Sequence, residues 1–142
     1  MTRRLGAVLL AALMVIVVGC GRYPASSRRD VRIGDRTWTM LLADRDGMRR
    51  MESFEGADGM LFDFDQDVDP AAVAFVMDGV LFPLDIAWFS EAGDLVGVQT
   101  MAVCPAKPCP TYAPDARYRW AVEAPAGALS GLAPTDRLDA SP

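Results

Sequence analysis

The chain predicts a mainly β fold, a compact antiparallel β-sandwich or barrel-like domain with minor helix, and three observations carry that prediction. Apolar runs in the last four-fifths of the sequence are short and evenly spaced, and Gly, Pro and Asp separate them. Ser90-Glu91-Ala92-Gly93-Asp94 between two such runs is a good hairpin connection, because Gly93 can take positive φ. A parallel α/β sheet would need long helices between its strands and explains this spacing less well.

Taken in order, Thr37 to Leu42 alternates Trp38, Met40 and Leu42 with Thr37, Thr39 and Leu41, which suggests a strand. A polar turn or short helix follows through Met51, and Gly59-Met60-Leu61-Phe62 begins the next strand. Val73 to Met77, Leu84 to Phe89, Leu95 to Met101 and Tyr118 to Glu123 are further strands. Pro125 to Leu132 is compatible with one or two helical turns, and Arg137-Leu138 is the last strand-like piece.

The first residues carry an address. Arg3 and Arg4 precede an uncharged run, Leu5 to Val18, and Gly19 then stands before Cys20. The run would make roughly 21 Å of helix, short of the roughly 30 Å hydrocarbon core that a spanning helix crosses. Residues 1–19 therefore read as a lipoprotein signal peptide, with Cys20 the thiol that carries the lipid. Acyl chains add about 0.8 kcal/mol per buried CH₂, and two or more give stable attachment. Residues 20–30, with Pro24, Ser26, Ser27 and three arginines, read as the lipidated cysteine and a tether of roughly 17 Å random-coil span. Residues 31–142 form the single β-rich domain. The expected location is the extracytoplasmic side of the cell envelope, on a membrane.

Without residues 1–19 the chain has 12 Lys+Arg against 19 Asp+Glu, a net charge of −7. Phosphate backbones would repel such a domain, so nucleic acid is not an expected partner. Of the three cysteines, one serves the lipid and Cys104 and Cys109 remain as a pair, which suits an oxidising compartment. A disulfide here reads as a loop staple. A redox or zinc role fits less well, because four residues separate the cysteines and the chain has no histidine.

Asp46-Gly47-Met48-Arg49-Arg50, then Gly59-Met60-Leu61-Phe62, then Pro83-Leu84-Asp85-Ile86 occur in that order. Together with the cysteine pair, Pro110-Thr111-Tyr112, the Glu123 strand and Gly131-Leu132 to Leu138, they resemble the domain of unknown function 192 family. The resemblance covers roughly residues 36 to 138 and implies a small β-sandwich-like domain, often exported, with no settled reaction. The family's distinctive Phe-Trp-Met-Lys-Asn-Thr stretch corresponds here to Phe75-Val76-Met77-Asp78-Gly79-Val80, with four of its six residues replaced.

The catalytic inventory is thin. Without histidine no Ser-His or Cys-His pair exists, Lys107 is the one lysine, and no Gly-x-Ser-x-Gly elbow occurs. Carboxylates remain. Asp85 is the first candidate, since Pro83 to Phe89 is otherwise apolar and a carboxylate there is either partnered or shifted in pKa. Asp78, Asp85 and Glu123 are positions from which a two-carboxylate glycoside hydrolase could draw. Asp63, Asp65, Asp67 and Asp69 alternate along an extended chain and are weak calcium candidates; Val68 and Ala74 stand where an EF-hand loop needs Gly and Glu. Trp38, Trp88 and Trp120 read as core rather than as a sugar platform, and the scattered methionines as core filler. No cofactor is implied. The expected function is therefore non-catalytic binding of a protein or small-molecule partner at the envelope. A carboxylate-dependent envelope hydrolase acting on saccharides and a calcium-stabilised structural module are the alternatives.

Overall fold

A computed structural model of the chain describes residues 27–43 and 47–141. The segment expected to be a signal peptide, Cys20 and the expected tether up to residue 26 lie outside the described residues. Nine strands form: β1 Arg28–Ile33, β2 Arg36–Leu42, β3 Gly59–Val68, β4 Phe75–Val76, β5 Leu84–Phe89, β6 Leu95–Met101, β7 Thr111–Tyr112, β8 Tyr118–Pro125 and β9 Leu138–Asp139. Seven make one curled sheet in the order β6-β5-β8-β3-β2-β1-β9, a half-barrel, and β4 pairs with β7 in a separate ribbon. All pairings are antiparallel except β2 with β3, where Met40, Leu41 and Leu42 run parallel to Gly59, Met60 and Leu61.

The period-2 alternation of the central strands divides the core between the two faces of this sheet. From β5, Leu84, Ile86 and Trp88 join Leu41, Met60, Met101 and Tyr118 on one face. Ala87 and Phe89 join Trp38, Met40, Leu61, Val122 and Leu138 on the other, the inside of the half-barrel. Both faces are therefore covered, and every residue of β5 is buried. Residues 47–58 and 69–83 supply the cover on the first face, inserting Met48, Phe54, Met77 and Val80. Gly59 is needed where β3 meets β8, because a Cβ there would collide with the carbonyl oxygen of Glu123.

The two outer strands meet at one rim. Asp94, just before β6, bridges Arg137, just before β9, and Leu138 N–H donates to Gly93 C=O at 2.8 Å. Gly93 (φ +87°) allows this approach, since a side chain there would strike the Leu138 carbonyl.

Three sequence expectations change. Strand β1 begins at Arg28, so the last three residues expected in the tether pair with Thr39, Met40 and Leu41. Their arginines are the strand's polar side chains: Arg28 donates to Glu55 C=O, and Arg29 sits 2.8 Å from Asp63. Strand β3 continues through the acidic stretch to Val68, with an irregularity in its pairing between Asp63 and Val68. No helix occurs among the described residues, and Pro125 to Leu132 folds as successive turns closed by Ala128 N–H to Pro125 C=O and Leu132 N–H to Leu129 C=O. The reason is local. The Asp85 carboxylate takes the N–H groups of Gly127 and Leu129, and Gly127 has φ +90°.

Candidate functional site

Asp85 and Glu123 are the two buried charged residues among those described, and they lie on neighbouring strands, with Ile86 opposite Glu123 and Asp85 opposite Ala124. One position separates them in register, so their side chains leave opposite faces of the sheet. Asp85 is wholly buried and saturated. It accepts from Thr100 Oγ1 at 2.7 Å, Gly127 N–H at 2.8 Å and Leu129 N–H at 3.0 Å. That geometry fastens the 125–132 turn beneath β5 and offers nothing to a substrate.

Glu123 is the opposite case. Only 6% of it is exposed, and no hydrogen bond to its carboxyl forms among the described residues. Burial pushes that carboxyl up to about 7 from an ordinary value of 4.5, because a charge removed from water without a donor or cation is disfavoured. It opens into a groove of about 420 Å³ between the sheet and the 47–49 and 73–80 segments. Phe62, Phe64 and Phe75 wall the groove beside Met48, and the Phe62 and Phe75 rings meet edge to face at 5.1 Å.

The groove's mouth is built from one ionic cluster and one apolar edge. Asp78 is held by Arg49 at 3.3 Å and Lys107 at 3.1 Å, which ties the cysteine loop to the 77–80 turn. Arg50 N–H donates to Gly79 C=O at 2.9 Å, and Gly79 (φ +74°) leaves room for the Arg49 stem. Val76, 48% exposed, and Val73 form the apolar edge. Tyr118 fixes that edge from below by donating its hydroxyl to Val73 C=O at 3.3 Å, and burial pushes its own pKa up to about 12.

The other sequence candidates fall elsewhere. Cys104 and Cys109 form a disulfide. Asp63 is engaged by Arg29 at 2.8 Å and Arg119 at 2.6 Å, Asp67 faces Arg117 at 3.8 Å, and Asp65 is exposed. No group of three or more potential ligand side chains is placed to hold a metal among the described residues. Trp38 and Trp88 are buried, while Trp120 is half-buried under the Arg119 guanidinium. Trp120 also borders a wider depression of about 740 Å³ at the closed rim, where Arg32 pairs with Asp139 and Arg137 with Asp94. That depression contains no buried ionisable group.

Of the three carboxylates named as a possible distant set, Asp78 and Glu123 share one groove and Asp85 is excluded from it. The signal that singles out Asp85, one acid within an apolar strand, applies equally to Glu123 in Ala121-Val122-Glu123-Ala124. What sequence could not show is which of the two finds donors.

Two solved structures share this fold. A Sinorhizobium meliloti protein described as a presumed transcription regulator matches at TM-score 0.65 and 23% identity, covering 81% of this chain and 95% of that one. A protein of unknown function from Novosphingobium aromaticivorans matches at TM-score 0.65 and 14% identity, covering 83% of this chain and 89% of its own. No curated protein matches. The family model for DUF192, an uncharacterised ACR, matches residues 30–140, the span that carries the sheet, the disulfide and the Glu123 groove, and the chain accordingly belongs to the DUF192 family.

Proposed function

We propose that this chain is a lipid-anchored extracytoplasmic binding domain that seats a small ligand, without covalent chemistry, in the groove floored by Glu123. The observation that carries the reading is the groove's composition: aromatic and aliphatic walls around one buried carboxyl that no group among the described residues satisfies. Ligand sites are mostly apolar concavities with a few convergent polar groups, and an unsatisfied buried carboxyl is retained at a cost in stability. The roughly 420 Å³ available suits a molecule of modest size.

The test uses 2-phenylethanol, a neutral probe with an apolar ring and one hydroxyl. Chemical-shift changes on Phe62, Phe75 and Glu123 that disappear when Val76→Trp blocks the mouth support the groove. Saturating probe without such changes rejects it. The anchor is tested separately by metabolic labelling with a fatty acid: label on the wild-type chain and none on Cys20→Ala is the expected pair.

One observation favours a second reading, a carboxylate-dependent hydrolase. Asp78, kept among cations, and Glu123, with its raised pKa, border the same groove and suit the base and acid roles. Loss of a saccharide-cleaving activity in Glu123→Gln, with Asp85→Asn still active, would favour it over simple binding.

A further inference from the structure

We propose that the ligand is an organic ammonium ion, whose charged head meets the Glu123 carboxylate and whose carbon body lies against Phe62, Phe64 and Phe75. This rests on the reading of the groove as a binding site and goes further by fixing the ligand's charge.

The argument is one of complementarity. A buried carboxylate needs a cation or several donors, and among the described residues Glu123 has neither. Asp85, one position away in register, shows what satisfaction looks like when the protein supplies it. An ammonium head would supply both the opposite charge and the N–H donors. The walls select the same class. Aromatic rings attract cations through the negative potential of their faces, and a ring cluster with a carboxylate is chemistry suited to alkylammonium groups. The charged residues that line the groove with Glu123 are Arg49 and Asp78, and they are paired with each other at 3.3 Å. Lys107, the second partner of Asp78, is 73% exposed in its side chain and sits in water at the rim. The chain's net charge of −5 also raises the local concentration of cations over anions.

The experiment titrates the full chain with three probes of similar shape: 2-phenylethylamine, 2-phenylethanol and phenylacetate. At pH 8 the amine is expected to bind at least tenfold more tightly than the alcohol, and phenylacetate more weakly than either. Glu123→Gln should abolish the amine's advantage while changing the alcohol's affinity less than twofold. On the wild-type chain, amine affinity should rise about tenfold from pH 6 to pH 8 as the carboxyl ionises, with the alcohol nearly flat. That pH series needs no variant and stands if Glu123→Gln folds poorly. Equal affinities for amine and alcohol, or an amine preference that survives Glu123→Gln, would overturn the ammonium proposal and leave the groove as a site. No binding by any of the three overturns both.

Discussion

Asp85 and Glu123 make a controlled comparison within one molecule. The β5–β8 pair holds both, burial is near complete for both, and they differ in which face of the sheet they enter. On the half-barrel's inner face the 125–132 turn bends until two backbone N–H groups point at Asp85, and Thr100 adds a hydroxyl. On the outer face the described parts of the covering segments bring rings and a methionine towards Glu123, and none of their groups donates to it. The lesson is that a buried acid in an apolar strand is ambiguous by itself. Its role is decided by what the neighbouring loop presents: donors make it a structural fastening, and apolar walls leave it for something that arrives from outside.

The comparison can be broken most forcefully at Asp85. Asp85→Ala strands the buried N–H of Leu129 and the part-buried N–H of Gly127 and empties a buried site, and should destabilise the fold by about 3 kcal/mol, read as a shifted denaturant midpoint with little change in slope. A loss below 1 kcal/mol would mean the fastening is unimportant. Glu123 gives an effect of comparable size, and its sign is opposite to that of a salt-bridged acid. The folded chain keeps a proton that the unfolded chain releases from about pH 4.5, so stability falls as pH rises from there to about 7. The fall amounts to about 3 kcal/mol above that window and is absent below it. Glu123→Gln should remove that slope, and unfolding at pH 4 and pH 8 checks it.

A smaller effect is expected at the rim of the groove. Reducing the Cys104–Cys109 disulfide, or replacing both cysteines with serine, should cost roughly 2 kcal/mol on the chain-entropy account. It should also free Lys107 from Asp78, which narrows or widens the groove's entrance without touching Asp85. The smallest change belongs to the outer acidic stretch. Asp63→Asn loosens contacts to Arg29 and Arg119 at the surface, worth about 1 kcal/mol or less and weaker in high salt. A melting temperature that climbs with millimolar calcium in the wild-type chain and not in this variant would instead revive a cation role for that stretch.

How much of this was legible in the sequence depends on the physics of each segment. Strands β5 and β6 follow the expected limits, since Pro83 and Gly93 punctuate clear apolar runs. Strand β1 was hidden because its arginines look like linker until their partners, Glu55 and Asp63, are brought alongside by the sheet. The long β3 was hidden likewise, its aspartates resembling a loop until Arg29, Arg119 and Arg117 face them. The turn at 125–132 has a helix-compatible composition, and only a distant carboxylate diverts its donors. For the site, the carboxylates Asp78 and Glu123 were readable as candidates. Their shared groove was not, because it depends on the packing of the 47–49 and 73–80 segments over the sheet.

The closed rim has a consequence for how copies of the chain meet one another. A sheet with two bare margins can be extended by any passing strand, including one from a second copy of itself. Here the last strand lies along the end of β1 and its leading residue clasps the turn before β6, so each margin is occupied at that rim by the chain's own tail. The tail acts as a zip fastener's stop. Chains trimmed before Arg137 would lose the bridge that joins the two margins at that rim, and self-association on storage is the cost they should show.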